Sequence, residues 1–350
     1  YLGEDIDVLY DFIHSQDTDR REYCNDTVRD GEMAEGRDRL TGDYNEFWAG
    51  RDYLNVTQHI TAAVLMSHAF NDWNVMPEHS YRISAALKGQ VPLQMYYHQG
   101  GHGGPPPLDM MNKWFTRYVY GVENGVENDP KAWIVRMGDD RLQPTPYADY
   151  PNPASEDVTL YPQAGGEQSG MLTFDMHMDQ GVETIVDNVS FTGKVLAQAE
   201  DTNHRLMYVT HKLTQDVHIS GTMRAKMKVS SSKPAANLSV WVVSLPWREG
   251  RQAKGGLITR GWADPQNHTS MTESSPLVPG EFYELEFNLE PDDQIIKAGQ
   301  KIGFMIMSSD KDFTLHPKPG TELSIDLDAT SFELPIVGGR AALEGNVDSN

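Results

Sequence analysis

The sequence predicts an α/β unit followed by an all-β unit, and two changes of pattern along the 350 residues support that prediction. Up to about residue 125, short apolar runs alternate with amphipathic helical patterns, as in a parallel sheet with crossover helices. From about residue 156 the apolar period becomes two, which is typical of half-buried strands in a β-sandwich. We therefore predict domains at 1–125 and 156–350, joined by a proline-rich linker at 126–155.

The α/β unit begins with a predicted helix at about residues 6–13, and strands are predicted at 62–68 and 92–97. The first strand is expected to be buried and parallel to its neighbour. Between the strands, Pro77 suits the first turn of a helix, and Gly89 is placed to end it. A second helix is indicated by apolar residues at helical spacing, namely Leu108, Met111, Trp114, Phe115 and Tyr118. Alternation of strand and helix at this spacing predicts a doubly wound sheet.

In the all-β unit, the alternation is clearest in three segments, 222–229, 283–289 and 302–306. Residues 240–245 are apolar except for Ser244, so we expect that strand to be more fully buried. Turn residues such as Pro279-Gly280 separate these segments. Within the linker, only 132–137 has the composition of a strand. The Asp and Glu side chains of the all-β unit are expected to lie on ordinary solvated surface.

Composition excludes several classes of function. With 51 acidic and 29 basic residues the net charge is −22, which argues against nucleic-acid partners and against docking on an anionic membrane. The one cysteine, Cys24, supplies neither an intramolecular disulfide nor a Cys-rich metal site. No apolar run approaches the ~20 residues of a membrane helix. We expect no cofactor and no metal; the compartment, cytoplasmic or exported, stays open.

Two polar residues follow the two predicted strands of the α/β unit. Asp72 lies just beyond the first strand and His102 just beyond the second. Because ligands bind at the carboxyl ends of parallel strands, we expect these side chains to lie close together. An Asp that orients a His is the acid–base half of a hydrolase triad, in the order Ser, Asp, His. No Gly-x-Ser-x-Gly motif accompanies them in the 350 residues.

Other interpretations of this region are weaker. Zinc binding by His98 and His102 would need a helix, which Gly100-Gly101 interrupts. A phosphate-binding loop at 100–104 is disfavoured because the three prolines at 105–107 lack amide hydrogens. A structural or exposed role is expected for His98 and for two further histidines, His68 and His79.

Several segments resemble X-prolyl dipeptidyl-peptidases, which are α/β-hydrolase serine peptidases related to the cocaine esterases. The most specific are Phe70-Asn71-Asp72-Trp73-Asn74-Val75, His98-Gln99-Gly100-Gly101-His102 and Gly3-Glu4-Asp5-Ile6-Asp7-Val8-Leu9. Segments 42–48, 51–54, 218–231 and 276–300 are also similar, so the resemblance extends over nearly the whole chain.

The resemblance implies a fold and a set of site residues. The chain would be the C-terminal part of an α/β-hydrolase domain, followed by a β-sandwich domain of jelly-roll, galactose-binding-like type. Asp72 would be the triad acid and His102 the general base. Glu4 would bind the free amino terminus of the substrate, Asn74 would assist through its side-chain oxygen, and Val75 would line the substrate pocket.

The resemblance also implies an activity. The family releases Xaa-Pro dipeptides from peptide N-termini, so the partner would be a peptide with a free N-terminus and proline at its second position. The nucleophilic Ser and an oxyanion-hole Tyr would precede Tyr1, and the chain alone is expected to be inactive; family analogy favours a homodimer. Two alternatives stay open: an esterase or acylase of the cocaine-esterase type, and a non-catalytic β-sandwich binding module.

Overall fold

The computed structural model describes residues 16–38, 40–248 and 256–347. The helix predicted at 6–13, and Glu4 before it, lie outside these ranges. The described part begins with one helical stretch made of α1 (Thr18–Tyr23), a π-helical segment (Cys24–Met33) and α2 (Ala34–Arg37). A short helix α3 (Glu46–Ala49) and a 3-10 helix (Tyr53–His59) follow. Within the described ranges, no helix is both long and apolar enough to cross a membrane.

A four-stranded sheet follows, in the spatial order β1 (Val64–Ala69), β2 (Leu93–His98), β3 (Ala132–Val135) and β4 (Thr145–Tyr147). The first three strands are parallel and β4 is antiparallel to β3. Helix α4 (Pro77–Leu87) lies between β1 and β2 in the chain, and α5 (Leu108–Tyr118) lies between β2 and β3. The predicted alternation of strand and helix is confirmed, including Pro77 in the first turn of α4 and a left-handed Gly89 (φ +77°) after its end.

Two details of this sheet differ from expectation. Strand β1 is half-buried along most of its length, because β2 is its only neighbouring strand in the described sheet. Part of the segment expected as a linker belongs to the sheet, since Ala132, Ile134 and Val135 are buried and β3 pairs with β2. The prolines of residues 126–155 therefore lie in a segment that contains two short strands, β3 and β4.

Among the described residues, the all-β unit has twelve strands: β5 (Ser155–Pro162), β6 (Gly170–Thr173), β7 (Val182–Val186), β8 (Leu206–Val209), β9 (Val217–Gly221), β10 (Arg224–Ser231), β11 (Leu238–Leu245), β12 (Leu257–Ala263), β13 (Phe282–Asn288), β14 (Asp292–Ile296), β15 (Lys301–Met307) and β16 (Glu322–Val337). The main path runs β12-β11-β15-β8-β6-β5-β16-β10-β13, with β7 and β9 also pairing with β16, and β14 with β9. Apart from a short parallel contact of β6 with β8, the pairings are antiparallel. Short helices α6 (Gly193–Gln198) and α7 (Gly339–Glu344) complete it.

The two halves of this strand path face each other across a shared core. Phe304 of β15 stacks on Phe332 of β16, with ring centroids 4.3 Å apart. The alternation predicted at 222–229 is confirmed, since Met223, Ala225, Met227 and Val229 are all buried. Strand β11 is buried on both faces from its start as far as residue 243. Period-two patterning therefore gives the β-sandwich expected from the sequence.

The expectation that acidic residues of the sandwich lie on the surface is wrong for five of those that the structure describes. They are 0–6 % exposed: Asp187, Glu290, Asp292, Asp293 and Asp310. Each accepts at least one hydrogen bond from an N–H or O–H donor of a neighbouring element, while Oδ2 of Asp187 and Oδ2 of Asp293 have no partner among the described residues. In the sequence nothing marks them as buried, because Asp and Glu side chains are mostly exposed in proteins.

One buried cluster joins the sandwich to the loop that follows β1. The Arg260 guanidinium lies 4.0 Å from the ring centroid of Trp73 and 3.8 Å from that of Phe313. Arg260 also pairs with Asp310 at 3.4 Å, and Asp310 accepts a hydrogen bond from Trp241 Nε1 at 2.8 Å. Burial raises the pKa of Asp310, which the adjacent Arg260 charge opposes. Stacking on two rings and pairing with a carboxylate together fix this side chain.

Replacing Arg260 by Leu should lower the free energy of unfolding by about 3 kcal/mol, because Asp310 would keep a buried charge without its cation. Urea unfolding of the full-length protein, followed by tryptophan fluorescence, measures the loss. The control is Lys297→Leu, which removes an exposed pair with Asp216 at 2.8 Å and should cost less than about 1 kcal/mol. Equal losses in the two variants would contradict the role given to Arg260.

Candidate active site

The loops that follow β1 and β2 meet at one edge of the small sheet. Strand register places Ala69 beside His98, so the two parallel strands end at the same level. The amide of Phe70 donates to the carbonyl of His98 at 2.8 Å, which ties the start of one loop to the start of the other. Asp72 and His102, one on each loop, are thereby brought together, as the carboxyl-end rule for parallel sheets predicts.

Asp72 has a defined partner on each carboxylate oxygen. Its Oδ2 lies 2.9 Å from His102 Nδ1, and its Oδ1 accepts the backbone amides of Asn74 at 3.1 Å and Val75 at 3.0 Å. His68 Nε2 lies 2.8 Å from the carbonyl oxygen of Val75, which closes the same loop from the strand side. Asp72 is only 4 % exposed, so this carboxylate is held in one orientation and faces the imidazole.

His102 combines a fixed nitrogen with an accessible ring. Its Nδ1 contacts the Asp72 carboxylate, while 67 % of the side chain is exposed. A carboxylate can only accept, so Nδ1 must carry the proton and Nε2 is the nitrogen left to take one. An exposed imidazole whose tautomer is set by a buried carboxylate is suited to general acid–base chemistry.

A second histidine shapes the loop that carries His102. His98 is buried, and its Nδ1 accepts the amide of Gly100 at 3.0 Å. Burial, assisted by the positive charge of Arg141, lowers the pKa of His98 to about 4, so this ring is neutral near pH 7. Gly104 (φ +114°) approaches so closely that a Cβ atom there would lie 2.7 Å from His98 Nε2. His98 thus has a structural role, as the sequence suggested.

The other predicted site residues are placed only in part. Asn74 and Val75 belong to the loop that holds Asp72, and both side chains are exposed, Val75 by 41 %. Their backbone amides orient the acid; their side-chain roles toward a substrate stay predictions. Glu4 lies outside the described residues. The part of the chain that the structure describes contains no cluster of three His, Cys, Asp or Glu residues able to hold a metal.

Three residues beside the pair were not predicted from the sequence. Asn71 and Gln99 adjoin the two loops, and Gln99 contacts Asp292 of the sandwich. No local pattern marks such a contact, because it joins residues 193 positions apart. The one hint is the acidic pair Asp292-Asp293, which begins a strand that ends in two isoleucines.

Two family models match the chain. Residues 1–104 match the X-Pro dipeptidyl-peptidase (S15 family) model, and residues 124–343 match the X-Pro dipeptidyl-peptidase C-terminal non-catalytic domain. The second match alone covers more than half of the chain.

Individual proteins agree with these models. A protein of Rhodopirellula baltica named "Putative Xaa-Pro dipeptidyl-peptidase" is 58% identical over 348 residues, which are 98% of this chain and 56% of that protein. The chain thus spans about half the length of the curated relatives it matches. An aminopeptidase from a marine sediment archaeon, Thaumarchaeota archaeon, superposes with a TM-score of 0.71 at 14% identity, over 91% of this chain and 62% of that one. An α-amino acid ester hydrolase gives 0.65 at 15% identity, over 90% and 62%. The two solved structures show the fold alone.

The His98 ring should titrate near pH 4 instead of the usual value near 6.5, because burial disfavours its charged form. NMR of the histidine-labelled protein, with His98→Gln to identify the resonance, measures this pKa. Since the folded pKa lies below the unfolded one, the stability that neutral His98 contributes is present above about pH 6.5 and lost as the pH falls through about 4. Titration of this ring close to pH 6.5 would contradict the assignment.

Proposed function

Because the chain belongs to the X-Pro dipeptidyl-peptidase family, we propose that it forms the C-terminal part of a serine exopeptidase that releases Xaa-Pro dipeptides from peptide N-termini. The observation that carries the proposal is the 2.9 Å contact between Asp72 Oδ2 and His102 Nδ1. The nucleophilic Ser and the oxyanion-hole Tyr would come from a segment that precedes Tyr1.

Each half-reaction would use both residues. His102 Nε2 takes the proton of the Ser hydroxyl while the Ser oxygen attacks the prolyl carbonyl. The same proton then passes from His102 to the amine of the leaving peptide as the C–N bond breaks, which leaves an acyl-enzyme. In the second half-reaction His102 deprotonates a water that attacks the ester, and returns the proton to Ser. Asp72 stays ionised throughout and stabilises the imidazolium that forms twice in each cycle.

Substrate length would be measured from the amino terminus. Glu4 would pair with the substrate ammonium, which sets a fixed distance from that end to the scissile bond. Asn74 would add a side-chain oxygen for the same end of the substrate, and Val75 would line the pocket for proline. The exposure of both side chains on the loop of Asp72 supports these roles.

We propose the domain limits 1–125, 126–155 and 156–350, of which the middle segment also completes the small sheet. The two family models, which end at 104 and begin at 124, and the start of β5 at Ser155 support this division. A jelly-roll, galactose-binding-like topology for the sandwich and a homodimeric assembly belong to the same proposal and are drawn from the family resemblance.

In the full-length protein, His102→Ala and Asp72→Asn should each lower kcat/KM for a Gly-Pro anilide by about 10⁴-fold, because each removes one member of the triad. The control is His79→Ala, an exposed histidine on α4, which should leave kcat/KM unchanged. Undiminished activity in both triad variants would remove the proposal. Faster turnover of blocked esters than of Xaa-Pro amides would instead favour an esterase of the same fold.

Glu4→Gln should reduce turnover of substrates with a free amine far more than turnover of the same peptides blocked at the N-terminus. The reason is that only a charged ammonium loses an ion pair when the carboxylate becomes an amide. The ratio of kcat/KM for free and blocked peptides measures the effect, with Glu46→Gln on α3 as the control. Equal losses on both substrates would exclude Glu4 as the binding group for the amino terminus.

A further inference from the structure

The side chain of Gln99 connects the sandwich to both loops of the proposed site. Its Nε2 donates to Asp292 Oδ1 at 2.5 Å and to the main-chain oxygen of Asp293 at 2.8 Å. Its Oε1 accepts from Asn71 Nδ2 at 2.8 Å and from Gln294 Nε2 at 3.3 Å. Both amide hydrogens and the amide oxygen are engaged, so the Gln99 side chain has one orientation.

These bonds end directly beside the two proposed catalytic residues. Asn71 precedes Asp72 in the chain, and the backbone amide of Asn71 also donates to the carbonyl of Gly100 at 3.3 Å. Gln99 begins the turn that ends at His102. A change in the orientation of Gln99 would therefore displace both loops relative to each other.

The orientation of Gln99 depends in turn on Asp292. This residue is 1 % exposed, and its carboxylate accepts from three N–H donors: Gln99 Nε2, Gln294 Nε2 at 2.6 Å and the amide of Asp293 at 2.7 Å. Three donors on two oxygens match the ionised form, although burial raises the pKa of Asp292 to about 7. A buried carboxylate costs stability. In return, the carboxylate orients the side chain of Gln99, because Oδ1 of Asp292 accepts a hydrogen bond from its amide nitrogen.

We propose that Asp292 is a positioning residue for the acid–base pair, acting through Gln99 on the alignment of His102 with Asp72. The inference rests on the function proposed above and extends it to the sandwich, whose family model is described as non-catalytic. Asp292 touches no reacting atom. Its effect is on how often the imidazole and the carboxylate stand in the geometry needed for proton transfer.

Asp292→Asn should lower kcat for Gly-Pro anilide by about 10- to 100-fold, since a displacement of about 1 Å in a catalytic group costs on this scale. The new side chain keeps one acceptor oxygen and has one NH2 group, so it cannot accept from both Gln99 and Gln294 as the carboxylate does. The orientation of Gln99 toward Asn71 would then no longer be fixed. KM should stay within about 2-fold, because Asp292 and Gln99 are proposed to act on the alignment of the acid–base pair and not on substrate binding.

Asp293→Asn is the matched control. Asp293 is the next residue on β14 and is equally buried, but its Oδ1 bonds to Tyr147 at 3.1 Å and to His218 at 2.9 Å. Gln99 donates only to the main-chain oxygen of Asp293, which the substitution keeps. Asp293→Asn should therefore leave kcat near the wild-type value, and its change in Tm measures the cost of altering a buried carboxylate here.

A double-mutant cycle on the full-length protein tests the coupling. Gln99→Met keeps the length of the side chain without its amide, and it should lower kcat as Asp292→Asn does. The double variant should lose no more than the worse single variant, because both act through one contact. Additive losses, a change in KM alone, or an equal loss of kcat in Asp293→Asn would overturn the proposal. If Asp292→Asn does not fold, a wild-type kcat in Gln99→Met would overturn the proposal.

Failure of this inference is distinct from failure of the proposed function. Suppose that the wild-type protein cleaves Gly-Pro anilide, that His102→Ala is inactive and that Asp292→Asn keeps the full kcat. This result would remove only the role of Asp292. A wild-type protein that turns over a blocked ester and not the anilide would remove the proposed function. The same kcat comparison on that ester would then still decide whether Asp292 positions the pair.

Discussion

The loop after β1 packs against the sandwich as well as against its own sheet, and the orientation of the Asp72 carboxylate depends on that packing. Trp73, the neighbour of Asp72, lies under the guanidinium of Arg260 at 4.0 Å. A few residues on, the amide of Glu78 donates to Glu290 of the sandwich at 2.8 Å. With both ends of the turn held, the amides that orient Asp72 have little freedom.

This junction is polar and buried, which makes it costly to build. Burial raises the pKa of Glu290 to about 7, above the value of 4.5 expected in an unfolded chain. Since the folded state binds this proton more tightly, the stability from Glu290 is fully present below about pH 4 and is lost as the pH rises through about 7. At neutral pH the buried carboxylate therefore lowers stability, while its hydrogen bonds fix the orientation of the groups at the junction.

Sequence patterns predicted what local rules determine. The alternation of strand and helix, the start of α4 at Pro77 and the buried face of β10 follow from periodicity and backbone preference. The meeting of Asp72 with His102 follows from the rule for parallel strand ends. The contacts of Gln99 with Asp292 and of Arg260 with Trp73 were not predictable, because each joins distant segments and because Gln, Asp and Arg side chains are mostly exposed in proteins. Burial of Asp292 and Asp310 depends on that long-range packing, which no window of the sequence contains.

The separation between Gln99 and Asp292 has a consequence for synthesis of the chain. The two residues lie 193 positions apart, so a ribosome completes the loop of His102 long before β14 leaves the exit tunnel. The α/β unit can fold first, as N-terminal units do, but its two loops reach their final alignment only after the sandwich has docked. Until β14 has been synthesised, a nascent chain lacks the contact of Gln99 with Asp292, and the loop of His102 is without that support.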